Sequence, residues 1–261
     1  MLGAPKTNIL YKYREDSPNT ERIISEHELW LCSPTCFNDP FDCWSIIEES
    51  TNEQKREWIS QLDDAFIHGI NRIAPKVLHQ QLNMNKTKEF TDAALASIRV
   101  CCFSKNCNNI LMWSHYAKEH TGMCFMFDVC ADLNFFSFCG EINYVAKASA
   151  SNVIAPNGAQ KLTENCILAK YEGWRYEEEV RKLLFGDSVL RNSQGQAVKF
   201  NPQALKKIIF GCRTSIETIN KYISLCNENG MQHVGFSQMR QMADGTFGLK
   251  EENLNLVHRK D

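Results

Sequence analysis

Two glutamates and an arginine alternate along the segment KYEGWRYEEEVRKLL. Glu177 and Glu179 precede a predicted strand, and alternate side chains of an extended backbone leave the same face, with Arg181 next along it. A carboxylate beside an arginine stays ionised at neutral pH, which suits an electrostatic role better than that of an acid. A run of glutamates is commonly a solvated surface. The flanking Trp174 and Tyr176 make a ligand site the competing interpretation.

A second polar and aromatic segment centres on His115. We predict a helix from Ile110 to His120, with Asn108 as its N-cap and Gly122 at its end. A lone helical histidine is more often structural than catalytic. Here the indole, imidazole and hydroxyl groups within eight residues make it equally plausible that the segment lines a cleft. The apolar stripe of this helix, which we expect in the core, consists of Met112, Trp113, Tyr116 and Ala117.

The third polar group of residues is formed by LYKYR at 10–14 and FNDPFD at 37–42. In a strand the two tyrosines of LYKYR share one face, and Lys12 and Arg14 share the other. FNDPFD is typical of a turn in which the Asx side chains bond the backbone and the proline fixes φ. Asp39 and Asp42 are then either structural or face a ligand or a metal ion.

The elements that must position these groups predict a single mixed α+β domain over residues 1–261. Short strand patterns occupy 1–50 and 98–240, whereas 51–97 has a helical period, with Trp58, Leu62 and Phe66 on one face. We therefore expect 51–97 to be a helical insertion or lid on the β-rich core. We predict a helix over Thr163 to Trp174, and we expect 250–261 to be a loose tail.

Composition excludes several classes of protein. The hydrophobic fraction of 43% and charged fraction of 23% are those of a globular protein, and the net charge of −2 argues against a nonspecific grip on nucleic acid or acidic membranes. The twelve cysteines contain no C-x-x-C pair, so we predict reduced thiols without disulfides or zinc. No signal peptide or membrane span is evident, and we expect a cytoplasmic protein.

Familiar catalytic motifs do not occur in the sequence. It contains no G-x-G-x-x-G, Walker A, H-E-x-x-H or G-x-S-x-G pattern. Classical dehydrogenases, P-loop NTPases, zinc proteases and α/β-hydrolases are therefore disfavoured.

The polar blocks together resemble a widespread bacterial family of proteins of unknown function. The blocks that carry this resemblance are LYKYR, FNDPFD, CFS, MWSHYA-x-x-H-x-G and K-x-x-x-W-x-Y-E-x-E-x-R, which span residues 10 to about 185. Five blocks in order identify a family but not a reaction.

The order of these elements also resembles the NAD-binding start of ADP-ribosyltransferases. A strand with an aromatic and a basic residue, a short helix, a strand that runs into a serine and a late E-x-E occur in both, although the first-strand histidine is absent here. The resemblance implies an ADP-ribosyltransferase-like β core and NAD as substrate. The residues that it implies are Glu179, Glu177 and His115 for catalysis, and Tyr11, Arg14, Ser33, Trp113 and Tyr116 for NAD binding.

In that reading Glu179 stabilises an oxocarbenium-like ribose and Arg14 binds the pyrophosphate, while Tyr11, Trp113 or Tyr116 stacks on a base. The acceptor is protein, nucleic acid or water, and the protein is a candidate toxin or phage-defence effector. A nucleotide-sensing or peptide-binding module, and a Mg²⁺-dependent nuclease or phosphoesterase using Asp39, Asp42 and the glutamates, remain alternatives. We predict that Arg14, His115 and Glu179 converge on one cleft.

Overall fold

The fold is a mixed α+β arrangement built on one large, mostly antiparallel sheet. The computed structural model describes residues 2–44, 46–48, 51, 53–54, 95–152, 158–185 and 194–254. The strands in these residues are β1 (Ile9–Arg14), β2 (Glu28–Cys32), β3 (Ile46–Ile47), β4 (Arg99–Ser104), β5 (Met123–Asp128), β6 (Cys139–Glu141), β7 (Asn143–Val145), β8 (Ala150–Ser151), β9 (Ala169–Tyr171), β10 (Glu179–Leu184), β11 (Gly195–Lys199), β12 (Leu205–Phe210), β13 (Gly235–Gln241) and β14 (Leu249–Asn253).

The main sheet has the strand order β11-β2-β4-β1-β5-β12-β13-β14, and β10 pairs with both β4 and β6. The main sheet forks at the strand β4. Its partner β10 runs along it for six residue pairs, whereas β1 meets β4 only at Tyr11 opposite Ser104 and β2 only at Cys32 opposite Val100. The strands β1 and β2 therefore diverge from each other next to β4, which leaves room for a cavity.

Four α-helices lie wholly within the described residues: α1 (Pro18–Ser25), α2 (Ile110–Tyr116), α3 (Gly158–Leu162) and α4 (Ile216–Glu228). Side-chain caps define where three of them begin. The hydroxyl of Ser17 accepts from the amide of Thr20 at the start of α1, and Asn109 rather than Asn108 caps α2. Ser215 caps α4 through the amide of Thr218.

Three clusters of buried apolar side chains hold the described elements together. The largest lies between the main sheet and helices α1 and α4, with Phe127 near its centre. A second packs β4 and β10 against residues 162–168. The third surrounds Trp113 of α2, which is fully buried beside Tyr13. The helix α2 is thus fixed to the sheet by its indole, which leaves its opposite side free to face solvent.

Several elements differ from the predictions. The helix expected over Thr163 to Trp174 is instead a π-turn at Thr163–Ile167, the strand β9 and a 3₁₀ helix at Glu172–Glu177, because β9 pairs in parallel with β7. The expected tail at 250–261 begins in β14, which pairs with β13. The predicted insertion at 51–97 lies almost entirely outside the described residues, and so does the end of the tail from 255.

All twelve cysteines lie in the described residues, where they are free thiols. Most of them are buried, as their apolar surroundings in the sequence indicate. Their reduced state in the cell stays a prediction.

No helix in the described part of the chain has both the length and the apolarity needed to cross a membrane.

Candidate functional site

A cavity of about 600 Å³ lies where β1 and β2 diverge from β4. Its lining includes Lys12 of β1, Cys32 of β2 and Cys102 of β4, which are the three strands that meet at the fork. We call it the polar cavity. Several of the predicted site residues, which lie far apart in the sequence, also line it: Tyr11, Arg14, Asp42, His115, Tyr116, Glu177 and Glu179. Arg14, His115 and Glu179 are therefore brought to one cavity, as the sequence predicts.

Arg181 is the centre of a buried ionic network beside this cavity. Its guanidinium is fully buried and donates from Nε to Glu179 Oε1 at 2.7 Å. Its Nη2 lies 2.7 and 2.8 Å from the two carboxylate oxygens of Asp42, and its Nη1 donates to the carbonyl of Ile167. Two carboxylates that stand 137 residues apart in sequence are thus held by one planar cation.

Lys170 is the second cation of the network. Its Nζ lies 2.6 Å from Glu177 Oε2, 3.0 Å from Glu179 Oε2 and 3.4 Å from Asp42 Oδ2. We call Asp42, Lys170, Glu177, Glu179 and Arg181 the carboxylate network. It contains three carboxyl groups and two cations, so one negative charge is left over when every member is ionised.

The two glutamates of the network have opposite electrostatic settings. Burial alone would raise the pKa of Glu179, but the Arg181 guanidinium and the Lys170 ammonium hold that pKa well below its usual value. Burial raises the pKa of Glu177, and the charge of Glu179 raises it further, against the opposing effect of Lys170. Glu179 therefore carries the fixed negative charge, while Glu177 is the carboxyl group that takes up a proton most readily.

The local backbone explains how both glutamates reach Lys170. Glu179 and Arg181 are alternate residues of β10 and leave the same face, as predicted. Glu177 is not in extended backbone, since it ends a 3₁₀ helix, and Glu178 follows in the left-handed region with φ 45°. This turn places Glu177 beside Glu179 by a route that the alternation rule does not describe.

The helix α2 contributes an aromatic wall. The hydroxyl of Tyr116 donates to Glu177 Oε1 at 2.6 Å, which joins the helix to the carboxylate network. The exposed imidazole of His115 lies among three rings, with centroid distances of 6.3 Å to Tyr116, 6.4 Å to Trp174 and 6.5 Å to Tyr176. His115, Tyr116 and Met112 are the residues of this helix that line the polar cavity.

Neither Lys12 nor Arg14 in the lining of the polar cavity forms an ion pair with a described carboxylate, and of the two only Arg14 also lacks a hydrogen bond. Its guanidinium forms no hydrogen bond or ion pair with the described residues, whereas Lys12 donates to the carbonyl of Cys102 at 2.7 Å. The backbone of Arg14 is fixed by close packing, because a β-carbon on Gly122 would lie 2.3 Å from the Arg14 carbonyl oxygen. The strand thus presents a free guanidinium on a rigid backbone.

Two residues predicted to bind NAD, Trp113 and Ser33, do not line the polar cavity. Trp113 is fully buried, and its Nε1 donates to the carbonyl of Cys107, so its ring cannot stack on a ligand. Ser33 is buried and caps the 3₁₀ helix Pro34–Cys36, away from the cavity lining. Tyr11 lines the cavity and also packs against the cluster around Trp113.

Lys170 is the main functional residue that sequence reasoning missed. It is the first residue of the K-x-x-x-W-x-Y-E-x-E-x-R block, but a lysine seven residues before Glu177 has no reason to contact it in the helix that the sequence predicts. The strand β9 and the following turn bring the two together. Cys102 was missed as well; it lies opposite Arg181 in the pairing of β4 with β10 and lines the polar cavity.

The four acidic residues proposed as metal ligands do not form one set. Asp39 Oδ1 accepts from the amide of Phe41 at 2.9 Å in an Asx turn and does not line the polar cavity. The oxygens of Asp42, Glu177 and Glu179 already face Lys170 and Arg181. In the described residues no group of three or more histidine, cysteine or acidic side chains is arranged to hold a metal ion.

Comparison with known proteins gives one match. A family model described as a protein of unknown function, DUF2971, matches residues 112–182. No curated protein and no solved structure matches the chain. The matched stretch runs from α2 to β10 and contains His115, Tyr116, Lys170 and both glutamates. The chain is therefore similar to a family of unknown function over the segment that supplies most of the polar cavity's chemistry.

Proposed function

We propose that the chain is an ADP-ribosyltransferase-like enzyme that cleaves the nicotinamide–ribose bond of NAD and transfers ADP-ribose to an acceptor. One observation carries the proposal: an unpaired Arg14 and a buried network with surplus negative charge line the same cavity. A guanidinium binds pyrophosphate well, and a surplus of negative charge stabilises a cation. NAD contains a pyrophosphate, and its ribose develops positive charge during cleavage. The cavity volume of about 600 Å³ is in the range of small-molecule sites.

The carboxylate network supplies the electrostatic part of the mechanism. Breaking the bond between nicotinamide and ribose produces an oxocarbenium-like sugar, as glycoside cleavage does. Glu179 remains ionised because of Arg181 and Lys170, and it is fixed in place by both. A charge that is already oriented stabilises the transition state without reorganisation. Asp42 does not act on the substrate itself; it is a positioning residue that orients Arg181.

In the transfer of ADP-ribose to the acceptor, Glu177 takes up the proton that is released. The C–N bond to ribose breaks and its electron pair leaves with the nicotinamide nitrogen, which becomes neutral. An O–H or N–H group of the acceptor forms the new bond to the same carbon and loses its proton to Glu177. A carboxyl group whose pKa is raised accepts that proton more readily than an ordinary one.

The rest of the substrate is held by groups around the network. Arg14 binds the pyrophosphate, and the exposed His115 together with the ring of Tyr116 contacts a planar base. Of the aromatic residues that the resemblance names, Tyr11 and Tyr116 line the polar cavity and Trp113 is buried; we assign the contact to Tyr116 because it lies next to His115.

The strongest test compares three successive glutamates. Glu179→Gln is expected to lower nicotinamide release from NAD about a hundredfold, the usual effect of losing one transition-state charge interaction. Glu177→Gln is expected to reduce transfer to an acceptor more than it reduces nicotinamide release. Glu178→Gln is the control, because Glu178 is exposed and points to Asn106 rather than into the network.

Thermal unfolding with and without NAD separates catalysis from binding alone, since a ligand stabilises by mass action. NAD that stabilises the wild-type protein without release of nicotinamide would show a nucleotide-binding module instead. Release that survives Glu179→Gln in a folded variant contradicts the assigned role of Glu179.

A further inference from the structure

A second cavity, of about 880 Å³, adjoins the first. Lys170 and Asn38 line both cavities, so the second one begins at the carboxylate network. We call it the aromatic cavity. The rings that line it are Phe41, Trp44, Tyr171 and Trp174.

These rings are unusually accessible for their size. Phe41 is 67% exposed, Trp44 50% and Tyr171 56%. Phe41 and Trp44 meet edge to face at 6.4 Å, an arrangement that leaves flat ring faces open. Trp174 already has the Lys170 ammonium over its ring at 5.3 Å. Flat, exposed rings that start at a charged network are suited to a planar ligand.

Polar groups among the rings narrow the class of ligand. Asn38 brings an amide group to the lining, and amides form hydrogen bonds with the edges of nucleobases. The amide nitrogen of Asn165, which also lines the cavity, already donates to the carbonyl of Ala150 at 3.1 Å. Lys147 also lines the cavity and forms no ion pair with another described residue, which leaves its ammonium available to a phosphate. Aromatic faces for stacking and a lysine for the backbone are the combination by which proteins bind single-stranded nucleic acid.

We infer that the aromatic cavity binds a nucleobase of single-stranded nucleic acid and presents it as the acceptor of ADP-ribose. This inference rests on the proposed function and adds the class of acceptor to it. An amine or ring nitrogen of a base held there faces Lys170, the residue shared with the polar cavity. In the proposed function, the ribose carbon of NAD is activated on the other side of Lys170. A protein acceptor is the competing class. Apolar rings suit a peptide side chain as well, but flat rings beside an unpaired lysine match a base and its phosphate together.

The experiment measures binding and transfer separately. Fluorescein-labelled 12-residue single-stranded DNA and RNA of mixed sequence are titrated with protein, and binding is followed by polarisation. Trp44→Ala is expected to weaken binding tenfold or more, as loss of one base–aromatic stack does (about 1–3 kcal/mol). Trp30→Ala is the matched control, since Trp30 is 51% exposed and does not line the cavity.

Transfer is measured by mass spectrometry of the oligonucleotide after incubation with NAD, and nicotinamide release without oligonucleotide is measured in parallel. At oligonucleotide concentrations below saturation, we expect Trp44→Ala to reduce the ADP-ribose mass shift by the same factor as binding, tenfold or more, and to leave nicotinamide release without oligonucleotide unchanged. If the wild-type protein releases no nicotinamide, the proposed function fails, while the polarisation data still decide whether a base binds. Equal binding by Trp44→Ala and Trp30→Ala overturns the inference. Nicotinamide release with labelling of a mixed-sequence peptide but not of either oligonucleotide overturns it too.

Discussion

The two cavities share Lys170 and Asn38 but are built in opposite ways. In the polar cavity the ionic side chains of the network are almost fully buried, and each has a partner at hydrogen-bond distance. In the aromatic cavity large apolar side chains are half exposed to solvent. The buried network is costly to disturb, because a charge left without its partner is not rehydrated. The exposed rings contribute little to the fold. The proposed chemistry of the polar cavity therefore depends on groups that also stabilise the fold, whereas the proposed ligand binding in the aromatic cavity does not.

The largest expected effect is that of Arg181→Leu. Removing this guanidinium leaves Asp42 and Glu179 buried with only Lys170 to neutralise them, so the free energy of unfolding is expected to fall by about 3–5 kcal/mol. Urea denaturation followed by circular dichroism measures the change. Arg240→Leu is the control. Its ion pair with Glu252 is long, at 3.8 Å, and half exposed, so removing it is expected to cost about 0–1 kcal/mol. Equal losses in the two variants would remove the contrast between buried and exposed charge.

A smaller loss is expected from Gly122→Ala at the rim of the polar cavity. The new β-carbon would lie 2.3 Å from the Arg14 carbonyl oxygen and 3.0 Å from that of Ala117, and neither backbone has a flexible end that can yield. Overpacking of this kind typically costs about 1–3 kcal/mol. Gly3→Ala is the control, because no atom lies within 4 Å of a β-carbon there. Thermal unfolding of both variants checks the prediction, and an unchanged Gly122→Ala protein contradicts it.

A pH dependence is expected to come from Glu177. Its pKa in the folded protein is above the ordinary value of 4.5, so the folded state binds the proton more tightly than the unfolded chain does. The contribution of Glu177 to stability is therefore fully present below pH 4.5 and is lost as the pH rises through the folded pKa. Each unit by which the pKa is raised corresponds to about 1.4 kcal/mol.

Glu179 acts in the opposite direction, since its pKa is depressed and its contribution disappears as the pH falls. The effect of Glu177 is isolated by subtracting the stability of Glu177→Gln from that of the wild-type protein at each pH between 4 and 8. The glutamine fits the site, because its amide can pair with Tyr116 while its oxygen accepts from Lys170. We expect the difference to decrease as the pH rises and then to level off. A flat difference shows that Glu177 has an ordinary pKa.

Sequence patterns predicted those parts of the molecule in which the chain's local preferences and its tertiary contacts agree. The strand β5 follows from a run of apolar residues, and the arrangement of Glu179 and Arg181 follows from strand alternation. The helix α2 begins at Ile110 as predicted, but it is capped by Asn109 rather than Asn108 and ends at Tyr116 rather than His120. Lys170 was not predictable in this way. Its place depends on the parallel pairing of β9 with β7, which overrides a segment with helical periodicity.

The same limit explains the roles assigned to Trp113 and Tyr116. Both lie on the apolar stripe of α2, and the sequence does not distinguish the ring that enters the core from the one that reaches the cavity. The structure separates them by the sheet below the helix: Trp113 packs on Tyr13, and Tyr116 extends towards Glu177.

The smallest expected effect on stability is that of Trp44→Ala in the aromatic cavity. Half of this side chain is already in contact with solvent, and its one ring contact among the described residues is the edge-to-face contact with Phe41. The free energy of unfolding is therefore expected to change by no more than about 1 kcal/mol. Trp113→Ala provides the opposite limit, because its ring is fully buried and truncation of such a ring typically costs about 3–5 kcal/mol. Urea denaturation of both variants measures the two values. If Trp44→Ala unfolds as easily as Trp113→Ala, Trp44 is part of the core and its effect on oligonucleotide binding reports unfolding. If the free energy of unfolding falls much less in Trp44→Ala than in Trp113→Ala, the fold does not require the ring of Trp44. Its open face is then available for a ligand in the aromatic cavity.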